Sequence, residues 1–149
     1  MGHWARIDEN NIVQEVIVIK EEMLDTGGWG DKSQWIKTSY NTKDGKHYVP
    51  KEYQDWSELS ADQSKALRYR FAGIGMYYDS VRDVFYPPRT SASWTFDETL
   101  MLWGAPVDFP ADASGSKPYY WDEDVYQADT GDPKTKGWVL LEPGQKFGE

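Results

Sequence analysis

The chain of 149 residues holds two histidines, no cysteine, and 25 Asp and Glu against 16 Lys and Arg, for a formal net charge of −9. With no thiol there is no Cys-ligated zinc, no disulfide framework and no cysteine nucleophile. His3 stands at the start of the sequence and His47 in a polar stretch, so both read as structural or exposed groups rather than catalytic ones. The serines lack a Gly-x-Ser-x-Gly elbow, and a triad would have to borrow one of those two imidazoles. Gly73-Ile74-Gly75 and Gly27-Gly28-Trp29-Gly30 match neither a dinucleotide fingerprint nor a phosphate loop, and read as backbone turns. Asp122-Glu123-Asp124 with Asp129 and Asp132 suggests calcium by composition. Tyr126 and Gln127 stand where an EF-hand needs a ligand and a glycine, so the cluster reads as a solvated acidic loop. A glycosidase pair would need two carboxyl groups at a defined separation, which belongs to the folded chain. No enzyme, metal or cofactor is expected.

The charge is uneven. From residue 91 onward eleven acidic residues face four basic ones. Nucleic acid needs a basic stripe, and the nearest feature is Arg68, Arg70, Arg82 and Arg89, which reads as local pairing or solvated surface. Anionic membrane surfaces are disfavoured for the same reason. No apolar run approaches the roughly 18 residues of a membrane span, and Met1-Gly2-His3-Trp4 does not open a signal peptide. Eight Trp, ten Tyr and five Phe make 15% of the chain aromatic, which implies either a thin ring-filled core or extensive contact surfaces.

The elements that would position these residues are short strands. Residues 4–19 predict two strands joined at Glu9-Asn10-Asn11, where Asn tolerates positive φ. The second, Ile12 to Ile19, is apolar on both faces and should be central or covered on each side. Glu21 to Thr26 suits a helical turn. Trp35 to Tyr40 predicts a strand with Trp35, Lys37 and Ser39 opposite Ile36, Thr38 and Tyr40. Residues 43–58 read as an ordered loop. A short peripheral helix should follow, with Ser60 and Gln63 at capping-box spacing, Lys65, Arg68 and Arg70 at its negative end, and Gly73 and Gly75 ending it. Beyond residue 75 an aromatic-Asp pair recurs, followed by a second ring: Tyr78-Asp79 with Phe85, Phe96-Asp97 with Trp103, and Trp121-Asp122 with Trp138. A weaker copy lies at Ile7-Asp8. Each predicts a hairpin in which Asp binds turn amides and the rings meet across the strands. Pro87-Pro88, Pro106 and Pro110 separate the copies. The expected fold is mainly β: tandem antiparallel β-hairpins with an N-terminal small sheet and one short peripheral helix. Residues 1–75 would form the N-terminal region, with a helical insertion at about 42–67, and 76–149 the tandem hairpins with Pro-rich connections.

A set of motifs in order carries a resemblance. Ala5-x-Ile7-Asp8-x-Asn10-Asn11-x-Val13-x-x-Val16-Ile17-Val18 is followed by Trp35-x-x-Thr38-Ser39-Tyr40-Asn41 and Phe71-Ala72-Gly73-Ile74-Gly75-x-x-Tyr78-Asp79. Then come Phe85-x-Pro87-Pro88, Ser93-Trp94-Thr95-x-Asp97, Trp103-x-Ala105-Pro106-Val107 and Tyr120-Trp121-Asp122-Glu123. Together they resemble a family of small virion structural proteins of tailed phages, notably those of marine cyanobacteria. The chain departs from that pattern by inserting residues 42 to about 67 and by an enlarged loop from Gln127 to Gly137. The resemblance implies a non-enzymatic virion component, made in the host cytoplasm, that binds other virion proteins in a symmetric assembly. A tail, neck or baseplate accessory is expected, with capsid decoration or cementing as the alternative. A carbohydrate-binding surface module for host adsorption is a further alternative, and it requires coplanar exposed rings among Trp94, Trp103, Trp121 and Trp138. These four and Trp29, Tyr53 and Trp56 are the interface candidates. The last three lie outside the hairpin pattern and are the stronger ones.

Overall fold

Asp8 begins the fold. Its Oδ1 accepts the amides of Asn10 and Ile12 at 2.9 and 3.0 Å, and Asn11 turns the chain at φ 63°. The strands so joined are β1 (Gly2–Ile7) and β2 (Val13–Ile19), antiparallel with a register shift between Arg6 and Ile7. Arg6 and Glu15 sit opposite each other and form an ion pair at 2.8 Å. A one-turn helix, α1 (Glu21–Leu24), leads through a 3-10 turn at Lys32–Gln34 to β3 (Trp35–Thr38), which pairs with the other side of β1. The sheet order is β2-β1-β3. The structure, a computed structural model, describes residues 1–145.

Because side chains alternate along a strand, neighbours on β1 enter different cores. Ala5 and Ile7 join Val13, Ala72, Tyr78 and Phe85 on one face, while Trp4 joins Ile19, Leu24 and Trp35 on the other. The two-faced apolar pattern of β2 is thereby satisfied, with Val16 against the first core and Ile17 against the second. The strand is at the edge, however, and β1 is central.

After β3 come β4 (Thr42–Lys43) and β5 (Lys46–His47), paired across Asp44-Gly45 with both residues at positive φ. That two-residue Asp-Gly turn matches the twist of a hairpin, so the expected loop begins as one. The helix expected near residues 60–71 is absent. In its place is a 3-10 turn, Gln63–Lys65, started by Asp62, whose Oδ1 accepts the Ser64 amide. Gln63, which reads as a capping partner, spends its side-chain amide on His47, accepting from its N–H and donating to its C=O at 2.9 and 2.8 Å. Arg68 and Tyr69 then take left-handed φ values of 54° and 71°, which a helix cannot include.

The aromatic-Asp repeat forms the hairpins expected of it. In β6 (Tyr77–Asp79) and β7 (Val84–Tyr86), Tyr78 faces Phe85 with centroids 5.1 Å apart, and Asp79 accepts the Val81 and Arg82 amides. In β8 (Thr95–Asp97) and β9 (Leu102–Gly104), Phe96 meets Trp103 edge-on at 5.5 Å, and Asp97 accepts the Thr99 and Leu100 amides. In β10 (Tyr119–Trp121) and β11 (Trp138–Leu140), Trp121 faces Trp138 at 5.2 Å. Here Asp122 caps a short helix, α2 (Glu123–Ala128), by accepting the Asp124 and Val125 amides. The expected acidic loop is therefore partly helical: Glu123 and Asp124 occupy the first turn, where the helix dipole favours negative charge. Asp129 accepts the amides of Gly131, Thr135 and Lys136 and folds the loop that follows.

Two compact units result. The first comprises Met1–Pro88 with Asp97–Leu102, and the second Arg89–Phe96 with the chain from Trp103 onward. The boundary expected at 75/76 falls inside the first unit, because the β6–β7 hairpin packs Tyr78 and Phe85 into the N-terminal core and Val13 bonds Met76 and Gly75. Residues 146–149 of the expected hairpin region lie outside the described residues.

Candidate functional site

Several charged side chains hold turns and loops. Arg70 donates to the carbonyls of Phe85 and Met101 at 2.6 Å and of Leu100 at 2.7 Å, and Arg68 binds Asp83 and the Lys37 carbonyl. Arg82 pairs with Asp79 and Glu98, while Arg89 lies over the Trp103 ring at 5.2 Å. The arginine cluster is thus locally engaged. Asp79 is buried; burial pushes its pKa up, but bonds from the Arg82 and Val81 amides, the Arg82 guanidinium and the Tyr86 hydroxyl outweigh this and hold it below the usual carboxylate range. Tyr86 is pushed up to about 12, first by burial and then by its bond to Asp79. Among the described residues no group of three or more His, Asp or Glu could hold a metal ion. No helix there is long and apolar enough to cross a membrane.

The aromatic candidates divide into two kinds. Within the second unit Trp94, Trp121 and Trp138 converge, with pairwise centroid distances of 6.1, 6.1 and 5.2 Å and interplanar angles of 81°, 59° and 74°. Trp121 is 9% exposed, its Nε1 donates to Glu123, and Tyr126 packs on it at 5.4 Å. Trp138 donates to the Val107 carbonyl. Trp103 packs against Phe96. Rings steeply inclined to one another do not offer the flat platform that stacking on a sugar requires, so the coplanar arrangement expected of a carbohydrate module is not formed by Trp94, Trp121 and Trp138. Trp121 is buried at the centre of this cluster, while Trp94, Trp103 and Trp138 are half-buried, and the Trp94 indole N–H is buried with no hydrogen-bond partner among the described residues.

Trp29 and Tyr53, in the first unit, are 41% and 75% exposed. Trp29 packs edge-on against Trp35 at 6.2 Å, while half-buried Trp56 packs on Tyr48 at 5.3 Å beneath Lys43. Other exposed apolar side chains of this unit include Ile74, Val81, Leu59 and Val18.

Val18 marks a feature that composition could not locate. The two outer edges of the N-terminal sheet are treated differently. On β3 the Arg68 guanidinium takes up the Lys37 carbonyl at 2.7 Å. On β2 only the start is covered, by Val13 bonding Met76 and Gly75 and by the Ile12–Tyr77 bridge. From Gln14 to Ile19 no described segment pairs with the outer edge. This edge is about 20 Å long at 3.4 Å per residue. It contains four consecutive β-branched residues, Val16 to Ile19, with no proline and no lysine, the residues that usually protect an edge from pairing. The signal lay in the run itself, but its edge position depends on β3 choosing β1. No family model, curated protein or solved structure matches the chain.

Proposed function

We propose that the chain is a non-enzymatic structural protein that works by association, and that the uncovered β2 edge is where a partner adds an extended strand. The edge is the observation that carries this reading. A partner strand would satisfy alternate backbone groups of Gln14 to Ile19, and the apolar side chains beside it would supply contact area on both faces. Exposed Trp29 and Tyr53 are candidate anchors, being large amphipathic rings of the kind enriched at binding hot spots. The ordered motifs add the context: the partner is another virion protein of a tailed phage, and the chain is a tail, neck or baseplate accessory, with capsid decoration as the second reading.

Two measurements test this. Imaging virions that carry a density label on the chain should place it on the tail, neck or baseplate. Label on head faces would support decoration instead, and its absence from particles would defeat the virion reading. Val18→Lys places a charge on an exposed edge position, as natural sheets do to prevent pairing. It should leave the melting temperature within about 4 °C, as a surface change within ±0.5 kcal/mol would, while lowering incorporation into particles. Normal incorporation of the variant would remove the edge from the proposal.

A further inference from the structure

The chain's only two histidines, at positions 3 and 47, line the same cleft. This cleft of about 400 Å³ lies wholly in the first unit, bordered by His3 of β1, Tyr40 and Asn41 after β3, His47 of β5, and Ser64 and Lys65 of the 3-10 turn. None of its lining residues is acidic, although acidic residues outnumber basic ones in the chain by 25 to 16.

The groups facing the cleft are held in place. His47 is fixed at three points: its N–H and C=O by the Gln63 amide, and its Nδ1 by the Ser60 hydroxyl at 2.6 Å. Its Nε2 makes no hydrogen bond among the described residues. The His3 ring stacks on Tyr40 at 5.7 Å and 19° and meets Phe71 edge-on at 5.2 Å, and its nitrogens are likewise unbonded there. Lys65 makes no ion pair among the described residues, whereas Lys37, also on the cleft wall, extends its ammonium toward the Trp4 ring at 6.0 Å. The acidic group acting on both His47 and Lys65 is Asp62, whose carboxylate already accepts the Ser64 amide and hydroxyl. A held imidazole beside a lysine that makes no close ion pair supplies the components of an anion site.

We propose that this cleft binds a small oxyanion group, phosphate or carboxylate, with Lys65 supplying charge and His47, His3 and Asn41 supplying hydrogen bonds. Burial, and then Lys65, lower the His47 pKa against the opposing pull of Asp62, and burial lowers that of His3. An anion beside these rings would favour their protonated forms, so binding should tighten as pH falls through the imidazole range.

The full chain provides its own readout, since two histidines give two resolvable imidazole Cε1–H signals. Titration with sodium phosphate, and separately with sodium acetate, at ionic strength held constant with sodium chloride, should shift both signals saturably and raise their pH midpoints. Saturation by phosphate alone identifies a phosphoryl ligand, and by acetate alone a carboxylate; either supports the site. Lys65→Gln, at an exposed position, should weaken binding about tenfold, the loss of one charge-assisted contact. His3→Phe keeps the ring stack and should also weaken it. Shifts that grow linearly and match the chloride control for both anions would overturn the proposal, as would wild-type affinity in both variants.

Discussion

Replacing Gly137 with alanine tests whether Trp121 is a core residue of the second unit. A Cβ at this position would lie 2.4 Å from Trp121 Cη2 and Cζ3 and 3.0 Å from Cζ2. Carbon atoms pack favourably at about 3.5–4.0 Å, so the overlap exceeds about 1 Å. Neither side can yield easily. The Gly137 carbonyl accepts the Asp122 amide at 2.8 Å, and the indole is held by Glu123, Trp94, Trp138 and Tyr126. Its φ of 137° adds a conformational cost for any other residue. Overpacking costs about 1–3 kcal/mol and a disfavoured backbone region about 1–3 more, so the loss should be roughly 2–6 kcal/mol. At about 2–8 °C per kcal/mol the melting transition of the unit should fall by at least about 4 °C. Near-ultraviolet circular dichroism, which reports the edge-to-face indoles, should weaken with it. Gly104→Ala is the control: no atom lies within 4 Å of its Cβ position, and the change should stay within about ±0.5 kcal/mol. A Gly137→Ala chain that melts like the wild type with an unchanged spectrum would refute the core assignment and return Trp121 to the surface.

Tyr86 makes the first unit sensitive to alkali. Its folded pKa is raised to about 12 from 10.0, so the stability it contributes is fully present below pH 10 and is lost between pH 10 and 12, at up to about 1.4 kcal/mol per pH unit. Denaturant unfolding from pH 9 to 12 should show a shallower decline for Tyr86→Phe; identical slopes would contradict the assignment. The excursion from residue 42 to 67 closes on itself, since Leu67 N–H donates to Thr42 Oγ1 at 3.2 Å. Replacing residues 43–66 by a short glycine linker should leave the N-terminal sheet folded at a cost of about 1–2 kcal/mol, mainly for lost hydrogen bonds such as Gly45 to Tyr69. It should reduce partner binding by more than that. Loss of the folded circular dichroism spectrum would show that the excursion holds the sheet together.

The hairpins were legible because their cause is local. Asp8, Asp79, Asp97 and Asp122 each bind amides within a few residues, and the rings on either side meet by register alone. What the sequence could not disclose depends on distant choices. Gln63 has the spacing of a helix cap, yet its amide serves His47, sixteen positions earlier. The Asp122-Glu123-Asp124 run held a helix-start signal that its acidity obscured, and Asp44-Gly45 held a hairpin signal inside an apparent loop. Of the three rings outside the repeat, Trp29 and Tyr53 are exposed and Trp56 is half-buried, so a place outside the repeat does not by itself set exposure. The convergence of Trp94 with Trp121 and Trp138, the open edge of β2 and the placing of His3 and His47 on one cleft depend on long-range pairing and packing, and no local spacing encodes that.

The central position of β1 also has a mechanical meaning. Tension applied across the ends of a short hairpin such as β6–β7 peels its bonds apart one after another. Tension along β1 acts in shear: its ladders with β2 and β3 must slip together, and Trp4 and Ala5 must be drawn from opposite cores in the same movement. Under load the chain would yield at its hairpins first, while its first strand resists as a clamp.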